Sequence, residues 1–225
     1  IGAQSLDELF EPIPEELKLE HPLQLPPALS ELELDQHLRE LAKGNQHAGQ
    51  KICFLGGGCY DHFIPAAVDT IGSRSEFYTS YTPYQPEVSQ GNLQVIFEYQ
   101  SLMTRMTGLD ISNASLYDGG SATAEAVLMA IANTRRYGKV VVPETLHPEY
   151  RQTIATYVEN LGVAVETIAT PSGILQPDDL SAHVDDQTAC VVLQQPNFFG
   201  CLEDASSVVQ TTHQAGALLV GVFDP

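Results

Sequence analysis

From about residue 110 the sequence alternates short β-rich runs with stretches of helical length and spacing, and few folds accommodate that alternation. The β-rich runs are 113–117, 139–142, 163–169, 189–194 and 217–223, and the helical stretches begin near Ser121, Pro148, Pro177 and Asp204. Strand, helix and strand in succession are joined most simply by a right-handed crossover, so the spacing predicts a parallel-rich α/β sheet flanked by helices. Ligands of such sheets sit beyond the carboxyl ends of the strands. The loops leaving those ends are 117–123, 143–148, 195–200 and Asp224-Pro225, and their side chains are expected to converge on one cleft.

Each loop admits a chemical and a purely structural reading. Asp118-Gly119-Gly120-Ser121 opens a helix, where free N–H groups, the helix dipole and hydroxyls suit a phosphate. It reads equally as a Ser N-cap after a glycine turn. His147 could stack on a heteroaromatic ring or move a proton, or be a loop residue satisfied locally. Asn197 could donate to a phenolic oxygen or make an Asx turn. Asp224 could hold a ring nitrogen protonated or simply initiate a turn before Pro225.

Upstream, residues 77–86 pack four aromatic rings, three hydroxyl residues and two prolines into ten positions with neither helical nor strand period. Pro83 and Pro86 fix φ and remove backbone donors, so this is a rigid loop that either presents its polar tips to a pocket or packs on the core. A helix is predicted over 89–107, closed by Gly108. Phe54-Leu-Gly-Gly-Gly58 fits no dinucleotide or P-loop pattern and reads as a sharp turn or close backbone approach. Residues 1–48 form a helical arm with capping boxes at Ser5/Glu8 and Ser30/Glu33 around a proline-rich linker, expected to wrap a neighbour or to fold on its own domain. Residues 49–110 form a connecting segment, and 111–225 the first part of a larger α/β domain.

With 29 acidic against 10 basic residues the formal charge is −19, which disfavours nucleic acid and anionic membranes as partners. No apolar run is long enough to span a bilayer and no charged-then-apolar leader opens the chain, so a cytoplasmic protein is expected. Cys53, Cys59, Cys190 and Cys201 show no metal-ligand spacing; reduced thiols and no metal are expected. The missing initiator Met and the ending in a strand-to-loop passage read as a partial gene product.

The ordered set of a helix-opening phosphate loop, His147, Asn197 and Asp224 resembles the fold-type I pyridoxal-phosphate enzymes. More specifically, the 78–91 motif, together with Phe54–Gly58, 113–119, 147–150 and 195–198, resembles the glycine cleavage system P-protein family, with its subunit 1 or N-terminal half. The resemblance runs almost from end to end. It implies a subunit of an oxidoreductase that decarboxylates glycine and passes the aminomethyl group to the lipoyl arm of H-protein, working with glycine dehydrogenase subunit 2 in an α2β2 assembly. It also implies pyridoxal 5′-phosphate on the partner subunit or second half. Lys18, Lys43, Lys51 and Lys139 all precede Asp224, whereas the Schiff-base lysine of this fold follows it, so no catalytic residue is expected in this chain. On that basis Asp118, Gly119, Gly120, Ser121, His147, Asn197 and Asp224 read as a cofactor-like cleft, the degenerate relic of a working site, while Tyr81, Thr82, Tyr84 and Gln85 are expected to reach substrate or the lipoyl tunnel. Two alternatives remain. A stand-alone fold-type I aminotransferase or lyase would need a lysine beyond residue 225, and a non-catalytic scaffold or regulatory subunit would need none.

Overall fold

The computed structural model describes residues 2–19, 21–54 and 56–224. Leu55 of the glycine motif and Pro225 of the last loop therefore lie outside the described residues. The chain divides into two compact units, Ile1–Cys53 and Phe54–Pro225. In the first, the Ser30/Glu33 capping box forms as the sequence predicts: Glu33 N donates to Ser30 Oγ and Ser30 N donates to Glu33 Oε2, starting helix α1 (Glu31–Lys43). At the other predicted box Glu8 N donates to Ser5 Oγ, but the Glu8 carboxylate accepts from Gln4 N and only a 3₁₀ turn, Asp7–Phe10, follows.

The second unit opens with short helices α2 (Ala66–Gly72) and α3 (Ser75–Tyr78) and the long helix α4 (Gln90–Thr107). Helix α4 ends where Gly108 takes up a left-handed conformation at φ 73°, which glycine adopts without a Cβ penalty. Then follow α5 (Gly119–Thr134), β1 (Lys139–Pro143), α6 (Pro148–Val158), β2 (Ala164–Ile168), α7 (Pro177–His183), β3 (Thr188–Gln195), α8 (Ala205–Gln214) and β4 (Leu218–Phe223). The four strands are parallel in the order β2-β1-β3-β4.

The expected strand at 113–117 does not form. Asn113 Oδ1 accepts from Ser115 N, and Ser115 sits at φ 82°, so the side chain folds the backbone into a local turn that interrupts an extended run.

Side chains alternate across the sheet with period two. Val140 and Val142 face α5 and α6, packing with Ala124, Val127, Ile131, Ile154 and Val158. Val141 faces the other way, with Ile168, Leu180 of α7 and Val208 of α8. Both faces are thus covered, as an all-parallel sheet requires. Between β1 and β3 the register slips: Lys139 pairs with Thr188 but Val141 pairs with Val191, leaving one extra residue on β3. The consecutive Ala189 and Cys190 consequently both belong to the α5/α6 side of the core. The strand order also fixes where a cleft can open. After β1 the chain moves outward to β2, then returns past β1 to β3, so the loops after β1 and β3 part company at their carboxyl ends.

Candidate functional site

A cleft of about 380 Å³ lies at that divergence, lined among others by Gly57, Gly58, His62, His147, Tyr150, Gln194, Gln195 and Asp224. Three of the four predicted loops converge here, through His147, through Gln195 and Pro196, and through Asp224; loop 117–123 does not line the cleft, and the glycine motif takes part instead. Gly56, Gly57 and Gly58 are all left-handed, and a Cβ on Gly58 would stand 3.2 Å from Gln194 Nε2 and 3.8 Å from His147 Cδ2. The run is a turn and a close approach at once.

Helix α5 is capped by Asp118, not by Ser121. The Asp118 carboxylate accepts from Ser121 N at 2.7 Å and from Ser121 Oγ at 3.0 Å, and these bonds hold the carboxyl below its usual range. A Cβ on Gly119 would lie 2.1 Å from the Tyr150 hydroxyl oxygen, and one on Gly120 3.3 Å from Thr153 Oγ1. The two glycines therefore let α6 lie across the first turn of α5. Tyr150, raised in pKa by burial first and then by the Asp118, Cys59 and Glu149 charges, stacks on His147 with ring centroids 4.7 Å apart. Phe198 approaches the same imidazole in a T-shaped contact at 5.0 Å.

Of its two sequence readings, Asn197 takes the Asx turn and not the ligand donor: Oδ1 accepts from Phe199 N, two residues on. It is fully buried, and both Nδ2 hydrogens are used, toward Gly173 O at 2.8 Å and Glu203 Oε1 at 2.7 Å. Its Oδ1 accepts from Phe199 N and Cys201 N. With every donor and acceptor engaged, it is the anchor of the loop after β3 and cannot serve as a free donor to a ligand. Asp224 lies 2.8 Å, through Oδ2, from Nε2 of His62. That pairing joins residues 162 apart in sequence, and sequence reasoning did not find His62. It also missed Gln194 and Tyr150, although Tyr150 lies three residues after His147, one turn along α6.

These residues do not fit pyridoxal phosphate. The Asp118 carboxylate takes the Ser121 N–H and hydroxyl that a phosphate would use and adds a like charge, Tyr150 overlies Gly119 and one face of His147, and Asn197 is saturated. Nor does a lysine reach the cleft from β1: Lys139, at the amino end of that strand, pairs through Nζ with Glu166 at 2.9 Å and Asp185 at 3.0 Å.

The aromatic loop lines no part of this cleft. It runs without regular structure from Ser80 to Ser89, pinned by Asn92 Nδ2 donating to Ser80 Oγ and by Tyr84 N donating to Thr82 O. Tyr81 and Tyr84 are 88% and 78% exposed, with their rings tilted 6.4 Å apart, and Thr82 and Gln85 are exposed beside them.

The parallel sheet covered by helices on both faces, with its cleft at the strand ends, is that of an α/β protein, and the likeness to solved structures makes it the fold of the fold-type I pyridoxal-phosphate-dependent transferases. The same fold is seen in a sphingosine-1-phosphate lyase from Burkholderia pseudomallei, at TM-score 0.58 and 14% identity over 92% of this chain and 49% of that one. The family description "Glycine cleavage system P-protein" matches residues 1–225, and the chain belongs to that family. It is 52% identical over its whole length to the probable glycine dehydrogenase (decarboxylating) subunit 1 of Desulforamulus reducens, and 51% identical to that of Carboxydothermus hydrogenoformans, in each case covering 50% of the relative. It matches a crystal structure of glycine decarboxylase (P-protein), in inhibitor-bound form, at TM-score 0.81 and 44% identity over all of this chain and 49% of that one. The chain thus spans about half the length of the curated relatives it matches.

Proposed function

We propose that this chain is part of a glycine decarboxylase of the glycine cleavage system, supporting pyridoxal-phosphate-dependent decarboxylation of glycine and transfer of the aminomethyl group to the lipoyl arm of H-protein. The observation that carries this reading is 52% identity along all 225 residues to a relative named as glycine dehydrogenase (decarboxylating) subunit 1. The cofactor, which supplies an electron sink for decarboxylation, belongs to a second subunit or half, because the residues of this chain's cleft do not fit it. The assembly is α2β2, and it works in the cytoplasm. The arm formed by residues 1–48 serves subunit contact.

The contribution of this chain is the loop bearing Tyr81, Thr82, Tyr84 and Gln85. Its prolines and the Asn92–Ser80 bond hold it in place while the hydroxyl tips stay exposed, an arrangement suited to completing a site on a partner. There the phenols exclude water and donate hydrogen bonds to substrate or to the lipoyl arm.

The test is exchange of labelled CO₂ into glycine by the full-length protein with lipoylated H-protein, with and without a co-expressed subunit 2. Activity only in the mixture is expected. Tyr81→Phe and Tyr84→Phe should each lower the exchange rate by about tenfold or more, the loss of one hydrogen bond made in the transition state. Full activity of both variants would reduce the loop to a structural element, and absence of exchange in the mixture would refute the decarboxylase reading.

A further inference from the structure

We propose that the cleft at the carboxyl ends of β1, β3 and β4 is a binding site for a small zwitterionic amino acid, with Gln194 and His147 holding its carboxylate and Asp224 its ammonium group. Gln194 is only 6% exposed, and its Oε1 accepts from His147 N at 2.8 Å, which fixes the amide. Its Nε2 lines the cleft with no acceptor among the described residues. A fixed amide whose donor opens into a cleft is available to a partner from outside the chain.

His147 supplies a second donor. Its Nδ1 accepts from Glu149 N at 3.2 Å, so the proton of the neutral ring resides on Nε2, which is likewise unpaired among the described residues. Stacking on Tyr150 holds the ring in that orientation. Gly58 keeps the approach to both donors open, since a Cβ there would crowd Gln194 Nε2 at 3.2 Å.

The third group has the opposite sign. Asp224 gives one carboxylate oxygen to His62 and keeps Oδ1 free of any partner among the described residues. Two donors and a carboxylate lining one cleft complement a molecule carrying both an anionic acceptor and a cationic donor. A simple anion would meet the charges of Asp224 and Asp118 and a chain of net charge −19; a simple cation would leave Gln194 and His147 unpaired. A zwitterion avoids both costs, and about 380 Å³ accommodates one with its waters. The inference rests on the cleft alone and is independent of the decarboxylase reading.

The test is isothermal titration calorimetry at pH 7 on the full-length chain, free of pyridoxal phosphate and of a second subunit, with glycine, acetate and methylamine as probes. Saturable binding of one glycine per chain is expected, with acetate and methylamine each at least about tenfold weaker. Asp224→Asn should weaken glycine about tenfold or more. Gln194→Leu should do the same, and because that position is buried, Gln194→Glu serves as its partner: it keeps the acceptor for His147 N and turns the free donor into a carboxylate. No saturable heat up to about 100 mM glycine, acetate binding as tightly as glycine, or unchanged affinity in both Asp224→Asn and Gln194→Glu would each overturn the proposal.

Discussion

Replacing Asn197 by Ala separates an anchoring role from a ligand-binding one. The side chain makes four hydrogen bonds, of unequal weight. Those accepted from Phe199 N and Cys201 N lie in a loop where Phe199 is 60% exposed, so water replaces them at small cost. The bond to Gly173 O is between neutral groups and is worth about 1 kcal/mol. The bond to Glu203 Oε1 is different, because Glu203 is 6% exposed and its other oxygen already accepts from Leu175 N. Removing a donor from a buried carboxylate costs about 2 kcal/mol. The sum is about 3 kcal/mol, or a fall in Tm of about 6–12 °C where a domain of about 150–250 residues melts as one unit.

The assay is thermal unfolding of the full-length protein followed by circular dichroism. Asn197→Asp sharpens it. That change removes both Nδ2 donors and faces one buried carboxylate with another, so at pH 7 it should destabilise more than Ala does. Like charges raise the folded-state carboxyl pKa above its unfolded value, so the Asp variant should regain stability as pH falls through that raised value. A loss under about 1 kcal/mol in Asn197→Ala, or an Asp variant as stable as wild type at pH 7, would refute the anchoring argument.

Three further outcomes follow from other contacts. Gly119→Ala should cost about 1–3 kcal/mol by overpacking against Tyr150; Tyr150→Ala should remove most of that penalty, and Tyr150→Phe should not, because the ring carbon Cζ would still stand 2.7 Å from the new methyl. At the amino end of the sheet, Glu166 is held below its usual pKa by His183 and then by Lys139, and Asp185 by Lys139 first. Depressed carboxyls stabilise above their unfolded values and lose that contribution as pH falls through the folded ones, so Lys139→Met should lower the melting temperature at pH 7 and flatten its decline below about pH 4, measured as Tm against pH. Burial pushes the Cys190 thiol up to about 12, so Ellman's reagent should label the exposed Cys53 and Cys59 of the native full-length chain and reach Cys190 only after unfolding.

The sheet was legible because its strands are runs of β-branched residues bounded by glycines, prolines and acidic caps, and local pattern decides such elements. The run at 113–117 misled for an equally local reason: Asn113 spends its side chain on the backbone two residues ahead, a choice its apolar neighbours do not reveal. The site was legible only in part. His147 and Asp224 follow strand ends, so topology alone carries them to the cleft. The fate of Asn197 depends on Glu203, six residues on, and on a carbonyl 24 residues back, and the same letters fit a ligand donor until those partners are placed. His62 had no signal at all, since nothing near it points to a strand end 162 residues away.

The cleft and the aromatic loop differ in where their polar capacity goes. Of the residues expected to form the cleft, Asp118 is spent on Ser121, Asn197 on Glu203 and half of Asp224 on His62, all within the chain. In the aromatic loop the phenols of Tyr81 and Tyr84 remain exposed even though their backbone is pinned by prolines and by the Asn92–Ser80 bond. A pinned backbone that leaves these two phenols exposed suits the contact with another surface proposed above. The cleft does not suit a phosphate cofactor, but Gln194, His147 and Asp224 each keep one polar atom without a partner among the described residues, which suits the smaller guest proposed above. The two features therefore fail separately: loop variants should change turnover in the assembled enzyme, and cleft variants should change calorimetric binding in the isolated chain.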